Sequence, residues 1–295
     1  LLIVVPLVVV LLGAVVWWLV GRTLHPVEAI RAEVANIGAT ELDRRVPTPD
    51  TDDEIARLAS TMNAMLDRLE DAVRKQQRFV ADASHELRSP LTRIRTEVEV
   101  ALADNGHDDS AAILASVLEE TGELQRLVAD LLHLARSDAG LTSSKREVVD
   151  LDDLVFQEAR RLRADGYQVD IDRLSAAQVS GDAYQLTRVV RNLLDNAARH
   201  ANQLVTIELG EAGGWARLVV SDDGHGVPAA DRERIFERFT RLDDARTRDH
   251  GGAGLGLAIA RDIVDAHGGQ LVLTDSGRST GACFVATIPS NEPRR

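Results

Sequence analysis

"FVADASHELRSPLTRIRTEVEVAL", residues 79 to 102, reads as one helix. Phe79, Ala83, Leu87, Leu91, Ile94, Val98 and Leu102 recur at steps of four and three, the stripe of a helix packed against other helices. His85 lies off that stripe, since at about 100° per residue it stands roughly 200° round from Ala83 and Leu87. Ser89, one turn on, returns almost to the azimuth of His85, so an imidazole and a hydroxyl share an outward face. Pro90 cannot donate to the carbonyl of Glu86 and crowds that turn, so a bend is expected there. An exposed histidine taken alone reads more often as a solvated surface residue; its weight comes from the rest of the chain.

Past the polar break "ADNGHDDS", a second long helix runs to about Ala139, with Leu124, Leu127, Val128, Leu131 and Ala135 on its apolar face. Two such helices expose too much apolar surface as a lone hairpin, and pairing of two copies into a four-helix bundle buries it, so a homodimer is expected. Upstream, "VEAIRAEVANIG" and "DEIARLASTMNAMLDRLEDAV" are helical stretches joined by "ATELDRRVPTPDTD". The second of these carries Ile55, Leu58, Met62, Met65, Leu66, Leu69 and Val73 at bundle spacing and runs into the His85 helix, a continuous rod that can carry rotation or tilt. The first twenty residues, "LLIVVPLVVVLLGAVVWWLV", contain no charge and match the roughly 20 residues that cross a bilayer. With no basic leading region and no cleavage site they read as a transmembrane helix rather than a signal peptide, and the chain as the C-terminal part of something longer. Trp17, Trp18 and Arg22 suggest an interfacial belt at an inward-facing end, which places the chain after about residue 21 in the cytoplasm, below an inner or plasma membrane.

From about residue 148 the period changes. Short β-rich runs, "YQVDID", "LVTIELG", "ARLVVSD", "QLVLTDS" and "ACFVATIP", alternate with helical stretches at 152–163, 182–200 and 255–267. This is a mixed α/β domain whose sheet is expected to be mostly antiparallel or mixed, with helices on one face and a hairpin turned on Gly213 and Gly214. The 295 residues, 44% hydrophobic and 27% charged, allow two or three compact units. A net charge of −13 argues against nucleic acid as a partner. The single cysteine, Cys283, excludes an internal disulfide and is expected to pack in a strand. The histidines His25, His107, His133, His225, His250 and His267 lack ligand spacing.

Glycine clusters in "DDGHGVP" (222–228) and "GGAGLGLAIA" (251–260). Either could be a plain turn; each could also let backbone approach a ligand, and the second opens a helix whose N-terminus favours phosphate. The only lysines, Lys75 and Lys145, follow no phosphate loop, and "GAGLGL" does not fit G-x-G-x-x-G after a strand. Between the clusters, "RVVRNLLDNAARHA" sets Asn192 and Asn196 one turn apart, carboxamides of the hard-oxygen type that Mg²⁺ accepts. "RIFERFTRLDDARTRDHGG" lies between the clusters as a polar lid would.

In this order, "SHELRSPLT", "NLLDNAARH", "DDGHGVP", "RIFERF" and "GGAGLGLAI" resemble the H, N, G1, F and G2 boxes of the sensor histidine kinases of bacterial two-component systems. "RTLHPVEAI" and "DDEIARL" resemble the HAMP linker of bacterial receptors, with Ala56 where a glycine is usual. The resemblance implies a multidomain chain: a transmembrane helix (1–20), a HAMP linker (21–73), a dimerising phosphotransfer hairpin forming a four-helix bundle (74–141), and an α/β sandwich that binds ATP (148–290). It implies that His85 accepts a phosphoryl group from ATP and that Glu86 is its acid-base partner. Asn196 would coordinate Mg²⁺ with Asn192 in support, Arg199 would face the phosphates and Asp222 the adenine amino group, while Gly224, Gly226, Gly252, Gly254 and Gly256 would shape the pocket. The phosphoryl group would then pass to an aspartate of a response regulator. Two departures stand out: His200 replaces a common tyrosine, and Ser89 stands where relatives active as phosphatases usually carry threonine or asparagine. A regulator phosphatase and a receptor scaffold ordered by ATP remain the alternatives. The stimulus, the identity of the regulator, and transfer within or between subunits are not legible.

Overall fold

The computed structural model describes residues 3–37, 43–49, 53–103, 110–138, 146–241, 253–274 and 281–291. The chain divides into two compact units, Leu1–Asp82 and Ala83–Arg295.

In the first unit, helix α1 spans Val4–Asn36. Its stretch Val9–Ala35 is the one helix among the described residues long and apolar enough to cross a membrane. Arg22 lies over the Trp18 ring at 5.6 Å. Helix α2 starts at Glu54, capped by Asp53, whose Oδ1 accepts from the N–H groups of Ile55 and Ala56, each at 3.0 Å. Ile30, Val46, Ala59 and Leu66 form the core of this unit. The connector is pinned to α2 by Asn63, which accepts from the Val46 N–H at 2.9 Å and donates to the Val46 carbonyl at 3.0 Å, so the buried valine carries no orphaned backbone group.

In the second unit, α2, which ends at Ala103, pairs with α3 (Ser110–Asp138). The helix runs through Pro90, where a bend is expected, without interruption, and Pro90 is buried. The apolar stripe read as one face divides in two. Ala83, Leu87, Pro90, Ile94, Glu97 and Ala101 are buried or half-buried, a three-four repeat, whereas Leu91, Val98 and Leu102 remain exposed.

The α/β domain follows: β1 (Glu147–Asp150), α4 (Leu151–Ala164), β2 (Gln168–Leu174), β3 (Gln178–Gly181), α5 (Ala183–His200), β4 (Leu204–Ala212), β5 (Trp215–Asp222), α6 (Gly256–Ala266), β6 (Gln270–Thr274) and β7 (Cys283–Pro289). Two 3-10 turns, Ala229–Asp231 and Arg234–Phe236, precede α6. The main sheet has the order β2-β4-β5-β7-β6 and is mixed, with β2 and β4 parallel and the other pairs antiparallel. The β4–β5 hairpin turns on Gly213 and Gly214, both at positive φ. Strands β1 and β3 form a separate antiparallel pair that the sequence pattern does not reveal. Helices α4, α5 and α6 cover the sheet with Val155, Leu186, Leu193, Leu194, Ile259 and Ile263 fully buried. Glu158, buried in α4, is satisfied by Arg161 at 2.7 Å and Arg191 at 2.6 Å, which ties α4 to α5 and holds its carboxyl below the ordinary range despite burial. Cys283 is buried in β7 as expected. His267, at the end of α6, is also buried. Its Nδ1 lies 2.7 Å from the Ile263 carbonyl and its Nε2 accepts from the Asp182 N–H at 3.2 Å, a neutral tautomer that joins α6 to the start of α5.

Candidate functional site

Four segments far apart in sequence meet around the adjoining parts of α5 and α6. On α5, Asn192 donates from Nδ2 to the Gly256 carbonyl at 3.0 Å, which joins the asparagine pair to the first turn of α6. Asn196 is half-buried one turn further along the same face. Arg199 is exposed in the last turn of α5. The carbonyl of His200 lies against Gly224, where a Cβ would come within 2.1 Å of that oxygen, so only glycine permits the approach. Gly226, at φ 71, continues the turn.

Asp222, at the end of β5, is buried. Its Oδ1 accepts from the N–H groups of Gly224 at 2.9 Å and Ala282 at 3.2 Å. Burial pushes its carboxyl up, against the lowering effect of those two donors. Gly281 and Ala282, which no sequence motif marks, thus belong to the site: a Cβ on Gly281 would lie 2.3 Å from Asp222 Oδ1. The neighbouring Asp223 closes the loop after α5, accepting from the N–H groups of Asn202 at 2.8 Å and Gln203 at 3.0 Å.

The fourth segment is "RIFERF". Phe236 packs edge-on against Phe284 of β7, with ring centroids 6.2 Å apart, and Arg261 of α6 lies over its ring at 5.1 Å. Phe239 takes a left-handed backbone, φ 59, and its N–H donates to the Gly254 carbonyl at 3.0 Å. Gly254 itself has φ 69, and a Cβ there would lie 2.9 Å from Phe239. Gly252 and most of the polar stretch read as a lid lie outside the described residues.

The chemistry of this set fits a magnesium nucleotide: carboxamides on one helix face, a helix N-terminus opened by glycines, and a buried carboxylate beside backbone cleared by Gly224 and Gly281. The residues expected to form the phosphoacceptor site lie on α2 and line a groove of their own. His85 and Ser89 are exposed on α2 and line a groove of about 560 Å³ with Arg88, Thr92, Arg93, Thr96 and Glu97. Glu86 is half-buried. Among the described residues, no side chain of the α/β domain lines that groove.

Residues 181–292 match the family described as histidine kinase-, DNA gyrase B- and HSP90-like ATPase. Residues 75–140 match the His Kinase A (phospho-acceptor) domain and residues 18–71 the HAMP domain. The chain is 38% identical over 280 residues to the signal transduction histidine-protein kinase/phosphatase MprB of Mycolicibacterium smegmatis, covering 90% of this chain and 56% of that protein. It is 38% identical over 258 residues to the sensor protein CutS of Streptomyces coelicolor, covering 85% of this chain and 62% of that protein. The chain thus spans little more than half the length of the curated relatives it matches. Its fold is similar to that of the Acinetobacter baumannii histidine kinase AdeS, with a TM-score of 0.58 at 23% identity over 70% of this chain and 98% of that one. With linker, phosphoacceptor hairpin and ATP-binding domain matched in one order, the chain belongs to the sensor histidine kinases of two-component systems.

Proposed function

We propose that this chain is a membrane-anchored, dimeric kinase that transfers the γ-phosphoryl group of ATP to His85 and from there to an aspartate of a response regulator. The observation that carries the reading is the bond from Asn192 to Gly256, which joins the asparagine helix to the glycine turn, in a chain whose histidine faces outward. Phosphoryl transfer demands placement and charge stabilisation more than covalent help from the protein. An imidazole nitrogen of His85 attacks the γ-phosphorus, the bond to the bridging oxygen breaks, and ADP leaves with that oxygen. Glu86, next in sequence, takes up the imidazole proton. Asn196, supported by Asn192, would hold Mg²⁺, whose charge neutralises the phosphates. Arg199 adds a cation on the phosphate side, Asp222 accepts from the adenine amino group, and Gly224, Gly226, Gly252, Gly254 and Gly256 leave room for the nucleotide.

The exposed stripes of the hairpin support association of two copies: Leu91, Val98 and Leu102 on α2, and Leu114, Leu118, Val128 and Leu132 on α3. The apolar α1 supports a membrane anchor, with the chain after about residue 21 on the cytoplasmic side. The domains we assign are the transmembrane helix to residue 20, the linker over 21–73, the hairpin over 74–141 and the ATP-binding domain over 148–290. A phosphatase activity toward the regulator is the second reading, favoured by Ser89, whose hydroxyl lines the His85 groove one turn from the imidazole.

The test is incubation of the full chain with γ-labelled ATP and Mg²⁺ beside His85→Gln and Asn196→Ala. Label that is acid-labile, alkali-stable and absent from both variants is expected. Label retained in His85→Gln would remove the phosphoacceptor assignment, and full labelling of Asn196→Ala the metal assignment.

A further inference from the structure

Helix α5 packs against both α4 and α6. Asn192 and Asn196 lie one turn apart on it, and Asn192 meets the glycine turn at the start of α6. Arg191 and Asp195 each stand one residue earlier, about 100° round the helix, and are also one turn apart. Helix α4 grips this second pair.

The grip is built on Glu158, a buried carboxylate. Arg191 donates to it twice, from Nε to Oε2 at 3.1 Å and from Nη2 to Oε1 at 2.6 Å, a fork that fixes direction as well as distance. Arg161 donates from Nε to Oε2 at 2.7 Å, and its Nη2 pairs with Asp195. Two guanidinium and two carboxylate groups thus run from α4 to successive turns of α5. Glu158 is the most deeply buried of the four, so loss of its charge leaves both cations short of their shared anion.

Two tethers one turn apart hold a helix against rolling about its own axis, where a single tether would act as a pivot. The consequence falls on Asn196. Asn192 has the Gly256 carbonyl as partner, whereas no hydrogen bond among the described residues ties down the Asn196 carboxamide, whose position therefore follows the backbone of α5. With side chains a helix is about 10–12 Å across, so a roll of about 10° carries a side-chain oxygen by about 1 Å. Magnesium demands near-ideal octahedral geometry, and a shift of that size is large against its tolerance. We propose that Glu158 is a positioning residue for Asn196: through Arg191, and through Arg161 to Asp195, it sets the roll of α5 and so the place of the carboxamide. The proposal rests on the kinase reading above, in which Asn196 holds Mg²⁺.

The test uses the full chain in lipid vesicles and ADP as the probe. Calorimetry reads two quantities: ADP affinity in a metal chelator, and the Mg²⁺ concentration that gives half of the metal-dependent gain in affinity. The melting temperature is taken alongside. The variants are Glu158→Gln, the milder Arg161→Lys in case the first fails to fold, and Asn196→Ala as reference. Glu158→Gln is expected to raise the Mg²⁺ requirement about tenfold and Arg161→Lys about threefold, with metal-free affinity within about twofold of the parent. Asn196→Ala is expected to abolish the gain. A lower melting temperature with an unchanged Mg²⁺ requirement, or metal-free affinity that falls in step with it, would overturn the positioning role and leave an ordinary structural ion pair. If Asn196→Ala keeps the parent's Mg²⁺ requirement, or Mg²⁺ does nothing for the parent, the metal reading of Asn196 fails first and takes the positioning role with it.

Discussion

The hairpin and the ATP-binding domain bury their apolar residues in different ways. In the ATP-binding domain, Phe284, Leu193, Leu194, Ile207 and Ile259 are almost wholly enclosed by one chain. In the hairpin, Leu102 is 80% exposed, Leu118 75% and Leu114 69%, although each occupies an apolar position of a long amphipathic helix. A sheet with three helices on one face closes a core by itself, whereas two helices have only one mutual seam and leave a second stripe over. The difference separates a domain that encloses its own core from a hairpin that leaves a second apolar stripe open.

The largest expected effect breaks the self-sufficient side. Phe284→Ala removes a ring packed against Phe236 and should cost about 3 to 5 kcal/mol, read as a lower melting temperature of the ATP-binding domain. A change below about 1 kcal/mol would show that the domain leans on other parts for its core. Next, Leu118→Lys with Leu132→Lys on the exposed stripe should shift dimer to monomer in light scattering, weakening association by about a hundredfold or more. A pair of charges that leaves the dimer intact would place the interface elsewhere.

Asp222→Asn sharpens the comparison by separating fold from site. The asparagine oxygen still accepts from Gly224 and Ala282, so the melting temperature should hold, while its amide cannot accept from adenine and affinity for ATP should fall about tenfold or more. Calorimetric titration with ATP decides it, and unchanged affinity would remove Asp222 from adenine recognition.

The smallest effect concerns the contact between the two regions. His133 on α3 is held below the ordinary imidazole range by burial first, then by Arg188 from α5 and Arg136 on its own helix, with Asp130 one turn away. The unfolded chain therefore takes up a proton more readily than the folded one. Stability from this group is complete above about pH 6.5 and is lost as pH falls toward the depressed value. Between pH 7.5 and 5.5 the parent should lose more stability than His133→Gln, and equal slopes in denaturant melts would discount the residue.

Much of this architecture is legible in the residues. The helical stretches read at 152–163, 182–200 and 255–267 appear as α4, α5 and α6 within one or two residues, because each pairs a 3.6-residue period with clear boundaries. Strands β1 and β3 escape notice because four residues each, "EVVD" and "QVSG", are too short to display alternation. At the site, Asn192, Asp222, Gly224, Gly254 and Gly256 announce themselves through local spacing. Gly281 and the Ala282 N–H do not, since they matter only by lying against Asp222 some sixty residues away in sequence.

By itself the sequence determines the order of the parts, the period of each element and which residue types stand ready for chemistry, because these depend on neighbours within a turn or two. Only the tertiary structure decided which half of the α2 stripe meets α3, that Asp130 and Asp138 hold Arg188 and Arg238, and that Phe239 closes on Gly254. Those choices depend on side chains brought together by packing across long stretches of chain, and no local period records them.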